Sequence, residues 1–136
     1  MLERKSALAG HLLGEPRLGT GRRTQLTLGE VHGWSLTQVA GYPSTFAAVE
    51  RIVGELTGVA TPAAAARPAT SAGTIIFRTG HHQLWVVGAD STDFAAAVGA
   101  RIDSSVGAVT PLSHSRTRIY IEGEPAAEVL KKGIAL

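Results

Sequence analysis

The sequence predicts an α+β fold: a mainly antiparallel sheet with helices over one face. Three observations predict it. Stretches that alternate polar and apolar residues, as half-buried strands do, come in consecutive pairs. Each pair is followed by a segment whose apolar residues recur at helical spacing, so the order reads ββα-ββα-ββα. The 136 residues are 44% hydrophobic and 18% charged, which provides enough apolar surface for a packed core without a disulfide or metal staple.

Residues 1–23 read as an N-terminal arm. Ser6 can cap a short turn holding Leu8, Leu12 and Leu13, and Gly14, Pro16, Gly19 and Gly21 then break it. Residues 24–136 read as a single α+β domain. Gln25–Val31 and Trp34–Val39 form the first pair of strands, with His32-Gly33 turning the chain between them. Tyr42-Pro43-Ser44 stops the extension. A helix follows from Thr45 to Leu56, capped by Ser44 or Thr45, with Phe46, Val49, Ile52, Val53 and Leu56 as its apolar stripe. Residues 57–73 are Ala- and Pro-rich and read as a surface loop, because Pro62 and Pro68 forbid a long helix.

Thr74–Arg78 and Gln83–Val87 predict a hairpin turned by Thr79-Gly80-His81-His82. The second helix spans Ser91 to Ile102 and buries Phe94, Val98 and Ile102. Asp90 or Ser91 is its expected cap, and Asp93 suits the positive end of its dipole. Gly107–Leu112 and Arg116–Glu122 are the last extended pair, the latter with Thr117, Ile119 and Ile121 on one face. Pro125 suits the first turn of a final helix and Gly133 its end, where Lys131 and Lys132 complement the negative pole. Trp34 or Trp85, with Phe46 and Phe94, is the expected anchor between sheet and helices.

Charge and composition exclude several functions. The net charge is +2, with 13 basic and 11 acidic residues. The basic excess sits in Arg4, Lys5, Arg17, Arg22 and Arg23, with no interleaved aromatics to stack bases, so no nucleic-acid partner is expected. The absence of cysteine rules out disulfides, thiolate metal sites, iron–sulfur clusters and a cysteine nucleophile. No apolar run is long enough to span a membrane, and Gly10, His11 and Gly14 interrupt any signal-peptide core. A cytoplasmic protein with no membrane partner is the expectation.

The candidate chemical residues are few. His81 and His82 are adjacent, and on a turn adjacent side chains diverge rather than converge on one metal. His11 and His32 stand alone at turns. His114, within Leu112-Ser113-His114-Ser115-Arg116, lies among hydroxyls and an arginine and reads as a structural hydrogen bond fixing a bend; adjacent Ser and His do not make a triad. Gly19-Thr20-Gly21 lacks the strand, helix and lysine of a phosphate loop. Arg116 and Arg118 share one face of a strand and read as a solvated face that could also meet an anion. No carboxylate pair suits acid–base work. The residues themselves therefore offer no catalytic, cofactor-binding or metal site.

The block Pro111-Leu112-Ser113-His114-Ser115-Arg116-Thr117-Arg118-Ile119-Tyr120-Ile121-Glu122-Gly123, followed by Glu124-Pro125-Ala126-Ala127-Glu128-Val129-Leu130-Lys131-Lys132-Gly133, resembles the gamma subunit of heterotetrameric sarcosine oxidase. That family has a Ser-His/Asp-Gly-Arg strand start, a Ser-Gly-Pro-Ala-Ala segment and a Val-Leu-x-Lys-Gly helix end. Arg4-Lys5-Ser6-Ala7-Leu8 resembles its basic start, and His82-Gln83-Leu84-Trp85-Val86-Val87 its Asp-Glu-Trp-Leu hairpin. A similar block occurs in the folate-binding T-protein of the glycine cleavage system. Glu124 departs from the family's Gly-Pro, and Ile134-Ala135-Leu136 stand where the family has Cys-Pro and a further strand-rich segment.

The resemblance implies a truncated T-protein-like domain serving as a noncatalytic assembly subunit. Its complex would oxidatively demethylate sarcosine or a related N-methyl amino acid to glycine, passing the carbon to tetrahydrofolate or releasing formaldehyde. It implies no cofactor on this chain, with FAD, FMN, NAD and tetrahydrofolate on larger alpha, beta and delta partners. The alternative is a free-standing folate-binding or one-carbon accessory module.

Overall fold

The computed structural model describes residue 8 and residues 26–65, 67–89 and 93–133. The fold is α+β with antiparallel sheets, as the alternation predicts. Its order is β1 (Thr27–Val31), β2 (Trp34–Gly41), α1 (Phe46–Thr57), β3 (Ala69–Ser71), β4 (Thr74–Gly80), β5 (Gln83–Ala89), α2 (Phe94–Gly99), β6 (Gly107–Pro111), a 3-10 turn (Ser113–Ser115), β7 (Arg118–Glu122) and α3 (Ala126–Gly133). The expected boundary at 23/24 falls outside the described residues. The contacts divide the chain elsewhere, into Gly33–Arg116 as one compact unit and Met1–His32 with Thr117–Leu136 as the other.

The Gly33–Arg116 unit carries a five-stranded sheet in the order β3-β4-β5-β2-β6. β2 lies between β5 and β6, pairing Val39 with Leu84 on one side and with Val109 on the other. Pairing of β4 with β5 makes the predicted hairpin, turned by His81-His82. The predicted hairpin of β1 with β2 does not form. A strand has two edges, and those of β2 are both taken by β5 and β6, so β1 pairs instead with β7 from the far end of the sequence.

A second correction concerns residues 57–73, expected to be loop throughout. Ala69–Ser71 forms β3 and pairs with β4 through the two-residue turn Ala72-Gly73, both at positive φ (47° and 83°). Positive φ at both central positions is the signature of the type I′ hairpin turn, whose twist matches that of the strands it joins. Ala72 hides the signal, because alanine does not ordinarily announce such a turn.

Alternation puts Val39, Ile76, Leu84 and Val86 on the face of the sheet that meets Phe46, Val49, Ile52 and Val53 of α1 and Val98 and Ile102 around α2. Four of the five predicted stripe residues of α1 are buried, and Leu56 remains 37% exposed at its end. Gly58 closes α1 in the left-handed conformation and donates its N–H to the Gly54 carbonyl at 2.9 Å. Thr45 is the N-cap residue but makes no capping bond. Its hydroxyl donates instead to the Val106 carbonyl at 2.6 Å, tying the start of α1 to the approach to β6. α2 is shorter than predicted. Asp93 caps it, accepting from the Ala96 N–H at 3.0 Å, while Asp90 and Ser91 lie outside the described residues.

Trp34 and Trp85 do not sit between sheet and helices. Trp34 shares its parity in β2 with Leu36 and Gln38, the positions opposite to Val39, and Trp85 pairs with Gln38. Both indoles therefore belong to the other face of the sheet, and the aromatic anchor of the helix face is Phe46. Phe94 packs against that core only partly buried.

The other unit is built differently. β1 and β7 form a two-stranded antiparallel ribbon pairing Gly29 with Tyr120, followed in sequence by α3. Not one of its described residues is buried. An ideal Cβ on Gly29 would lie 2.3 Å from the Tyr120 ring, so the absence of a side chain there is what lets the ring fold over β1.

Candidate functional site

His114 sits in the 3-10 turn between β6 and β7, where Ser113 and Ser115 perform the role expected of it. The Ser113 hydroxyl accepts the Leu36 N–H at 2.9 Å, and the Ser115 hydroxyl donates to the Leu112 carbonyl at 2.9 Å. These bonds bend the chain against β2. His114 is exposed, and among the described residues its ring makes no hydrogen bond, so the bend is fixed by its neighbours. Among the described residues no carboxylate hydrogen-bonds to it, the contact that orients the histidine of a catalytic triad.

Arg116 and Arg118 do not share a strand. Arg116 precedes β7 in extended backbone and holds its guanidinium 5.8 Å from the centre of the Trp85 ring, while Arg118 opens β7 in the other unit. The Trp85 indole N–H donates to Gln38 Oε1 at 3.1 Å, and that oxygen also accepts from Gln83 Nε2 at 2.9 Å. This side of the sheet thus carries a small amide–indole network with a cation over the ring.

His81 and His82 turn the β4–β5 hairpin with ring centres 6.4 Å apart. His82 packs edge-on against Phe46 at 5.5 Å, and its carbonyl accepts the Gly41 N–H at 3.0 Å. His32 lies exposed beside Gly33, which turns with φ of 67°. His11 and Gly19-Thr20-Gly21 lie outside the described residues. No group of three His, Asp or Glu side chains is arranged to hold a metal among the described residues.

The most densely bonded polar cluster escaped the sequence reading. Arg78 of β4 donates through Nε to the Pro62 carbonyl at 2.7 Å, through Nη1 to the His81 carbonyl at 3.0 Å, and through Nη2 to the Glu50 carboxylate of α1. Its guanidinium also lies 4.9 Å over the Phe46 ring, and Thr61 Oγ1 donates to Glu50. The available signal was phase. Arg78 shares the parity of buried Ile76, so a cation was aimed at the helices and required a partner there. Because the guanidinium is committed to these acceptors, the cluster ties helix, loop and hairpin together and does not present an anion site.

Two concavities accompany these features. One of about 110 Å³ opens between Ser35, Leu56, Thr57, Thr74, Val86, Gly88, Ala89 and Phe94. The other, about 360 Å³, is a surface depression between Ala63–Ala65 and Arg78–His81. Binding pockets for drug-sized ligands run from roughly 300 to 1,000 Å³ and combine apolar walls with a few convergent polar groups. The first is too small for a flavin or a folate. The second has the space, but its guanidinium is already satisfied.

Glu55 and Asp103 carry the resolved electrostatic perturbations. Hydrogen bonds from Arg101 and then Arg51 hold the Glu55 carboxyl below its usual range. The side-chain and backbone bonds from Ser105 do the same for Asp103. Both are exposed structural groups. No helix among the described residues is long and apolar enough to cross a membrane.

No protein-family model matches the sequence, and no curated protein does either. The fold is nonetheless similar to a chain in the heterotetrameric sarcosine oxidase from Corynebacterium sp. U-96, solved in complex with pyrrole 2-carboxylate. The superposition has a TM-score of 0.81 at 24% identity and covers 98% of this chain and 68% of that one. The molecule shares the fold of that chain over nearly its whole length.

Proposed function

We propose that this chain is the noncatalytic small subunit of a sarcosine-oxidase-like flavoenzyme complex. In this reading larger partner chains bind the flavins, NAD and tetrahydrofolate. The complex demethylates sarcosine, or a related N-methyl amino acid, to glycine, with the carbon passed to folate or released as formaldehyde. The observation that carries the reading is the fold likeness over 98% of the chain to a component of a heterotetrameric oxidase. The two-electron oxidation of the N-methyl group would be supplied by a flavin on a partner. This chain would contribute surfaces that hold the larger chains in place.

The test is purification of the full chain, tagged, from the cells that make it. Larger chains in fixed stoichiometry, flavin absorbance and sarcosine-dependent turnover are expected. Turnover per bound flavin should be unchanged in His114→Ala and in the His81→Ala/His82→Ala double variant. A working general base would contribute about 100- to 10,000-fold. A hundredfold loss in a normally assembled complex would put the active site partly on this chain and overturn the noncatalytic reading. A colourless chain recovered alone that binds folate would instead establish the free-standing one-carbon module.

A further inference from the structure

The ribbon of β1 and β7 is the least self-sufficient element of the molecule. Two strands alone are marginal in water, and three or more are ordinarily needed for stability. Among the described residues no strand pairs with the outer edge of β7. A row of free N–H and C=O groups on such an edge is a template for another strand. Natural edge strands are commonly protected by charges that repel a second copy, and the charges on β7 do the opposite.

The strand reads Arg118-Ile119-Tyr120-Ile121-Glu122. Reversed and set beside itself antiparallel about Tyr120, it places Arg118 opposite Glu122 of the second copy, Ile119 opposite Ile121, and Tyr120 opposite itself. Residues directly opposed in an antiparallel pair share a face. One face of the joined sheet would therefore carry two Arg–Glu pairs flanking the tyrosines. The other would carry a row of Ile119 and Ile121 from both copies, bordered on β1 by Leu28, which pairs with Ile121, and by Glu30, which pairs with Ile119. Leu28 and Ile119 are each 53% exposed in the single chain. Arg118 and Glu122 are exposed and have no ion-pair partner among the described residues. The Tyr120 ring leans over Gly29 on β1, away from the open edge, so the seam is not obstructed by two facing phenols.

We propose that β7 is a self-complementary edge through which a second copy of this chain adds, making a two-fold, four-stranded sheet β1-β7-β7-β1 centred on Tyr120. The pairing is isologous and closes on itself, so it gives a dimer and not a fibre. It concerns the chain by itself: it can fail while larger partners still bind, and it can hold where none does.

Sedimentation of the purified full chain over a range of concentrations tests it. A monomer–dimer equilibrium is expected for the native sequence. Arg118→Glu and Glu122→Arg should each weaken the dimer by about tenfold or more, because each sets like charges opposite one another at two symmetric positions. The double variant Arg118→Glu/Glu122→Arg should restore the native affinity. A separate readout does not depend on the charges. The chain has no cysteine, so Tyr120→Cys should cross-link to itself with a short bis-maleimide, whereas Leu28→Cys on the far strand should not. A monomer at every concentration would overturn the proposal. So would a dimer indifferent to the charge reversals and their exchange, or cross-linking through position 28 in place of 120.

Discussion

Phe46 makes contacts on several sides at once. It is 5% exposed, takes the edge of His82 at 5.5 Å, and lies under the Arg78 guanidinium. Phe46→Ala should cost about 3–5 kcal/mol in urea or thermal unfolding, the range for truncating a buried aromatic. Phe94→Ala should cost clearly less, since Phe94 packs only partly buried against the same core. Equal losses would mean that the two helices bury their aromatics alike. Gly107 is a sharper case. A Cβ there would fall 2.1 Å from the Ala40 carbonyl oxygen, a backbone atom with little freedom to move. Gly107→Ala should therefore open the β2–β6 pairing and destabilise the fold by about 1–3 kcal/mol, the usual penalty for overpacking. Amide exchange at Gln38 and Thr110, whose backbone groups face each other across that pairing, reports the opening directly. The importance of Phe46 was legible from its place in the α1 stripe. That of Gly107 was not, because its restriction comes from Ala40, a neighbour across the sheet and 67 positions away in sequence.

At the scale of elements, α1 is held by its apolar face and by two sets of charges. Glu55 accepts from Arg51 on its own helix at 2.7 Å and from Arg101, beyond α2, at 2.5 Å. Because these bonds lower the Glu55 pKa in the folded state, the folded protein binds fewer protons than the unfolded chain in the window beneath the ordinary value of 4.5. The stabilisation from Glu55 is thus present in full above that value and is lost as pH falls through the depressed folded pKa. Asp103 acts in the same direction on the loop before β6. Carboxyl titration by NMR should place both groups below their ordinary values. Glu55→Gln should flatten the acid limb of the stability–pH curve while leaving the core spectra unchanged. Salt should weaken the effect, since all three side chains of the Glu55 network are exposed.

At the scale of the whole molecule, burial is unequally distributed. The Gly33–Arg116 unit holds every buried residue of the core, whereas the ribbon and α3 hold none among the described residues. Among the described residues, five of the seven large exposed hydrophobic side chains, Leu28, Ile119, Tyr120, Val129 and Leu130, fall in the ribbon and α3. Stability within a protein follows local burial, with sparsely packed regions opening first. Native-state hydrogen exchange of the chain alone should accordingly find β7 and α3 amides exchanging about a hundredfold or more faster than those of β2 and β5. Uniform protection along the sequence would refute that division. Dimer formation should slow exchange in β7 preferentially as concentration rises.

What the sequence by itself determined is local. The period-2 stretches became strands, the stripe of α1 became a buried face, and the β4–β5 hairpin formed around His81-His82, because these features depend on residues within about a dozen positions of one another. The α+β class with antiparallel sheets followed from the same patterns. Only the tertiary structure decided which strands share an edge. β1 reads as the hairpin partner of β2 until β5 and β6 occupy both sides of β2, which leaves β1 to β7 at the far end of the chain. The placement of polar residues followed the same rule. His114 stood out by its neighbours in sequence yet makes no hydrogen bond among the described residues, while Arg78 and Glu50, 28 positions apart, meet because helix and sheet bring them together. Alternation states which side of a strand a residue takes, but not what waits on that side, since long-range pairing is chosen by competition among edges and faces that no single segment contains.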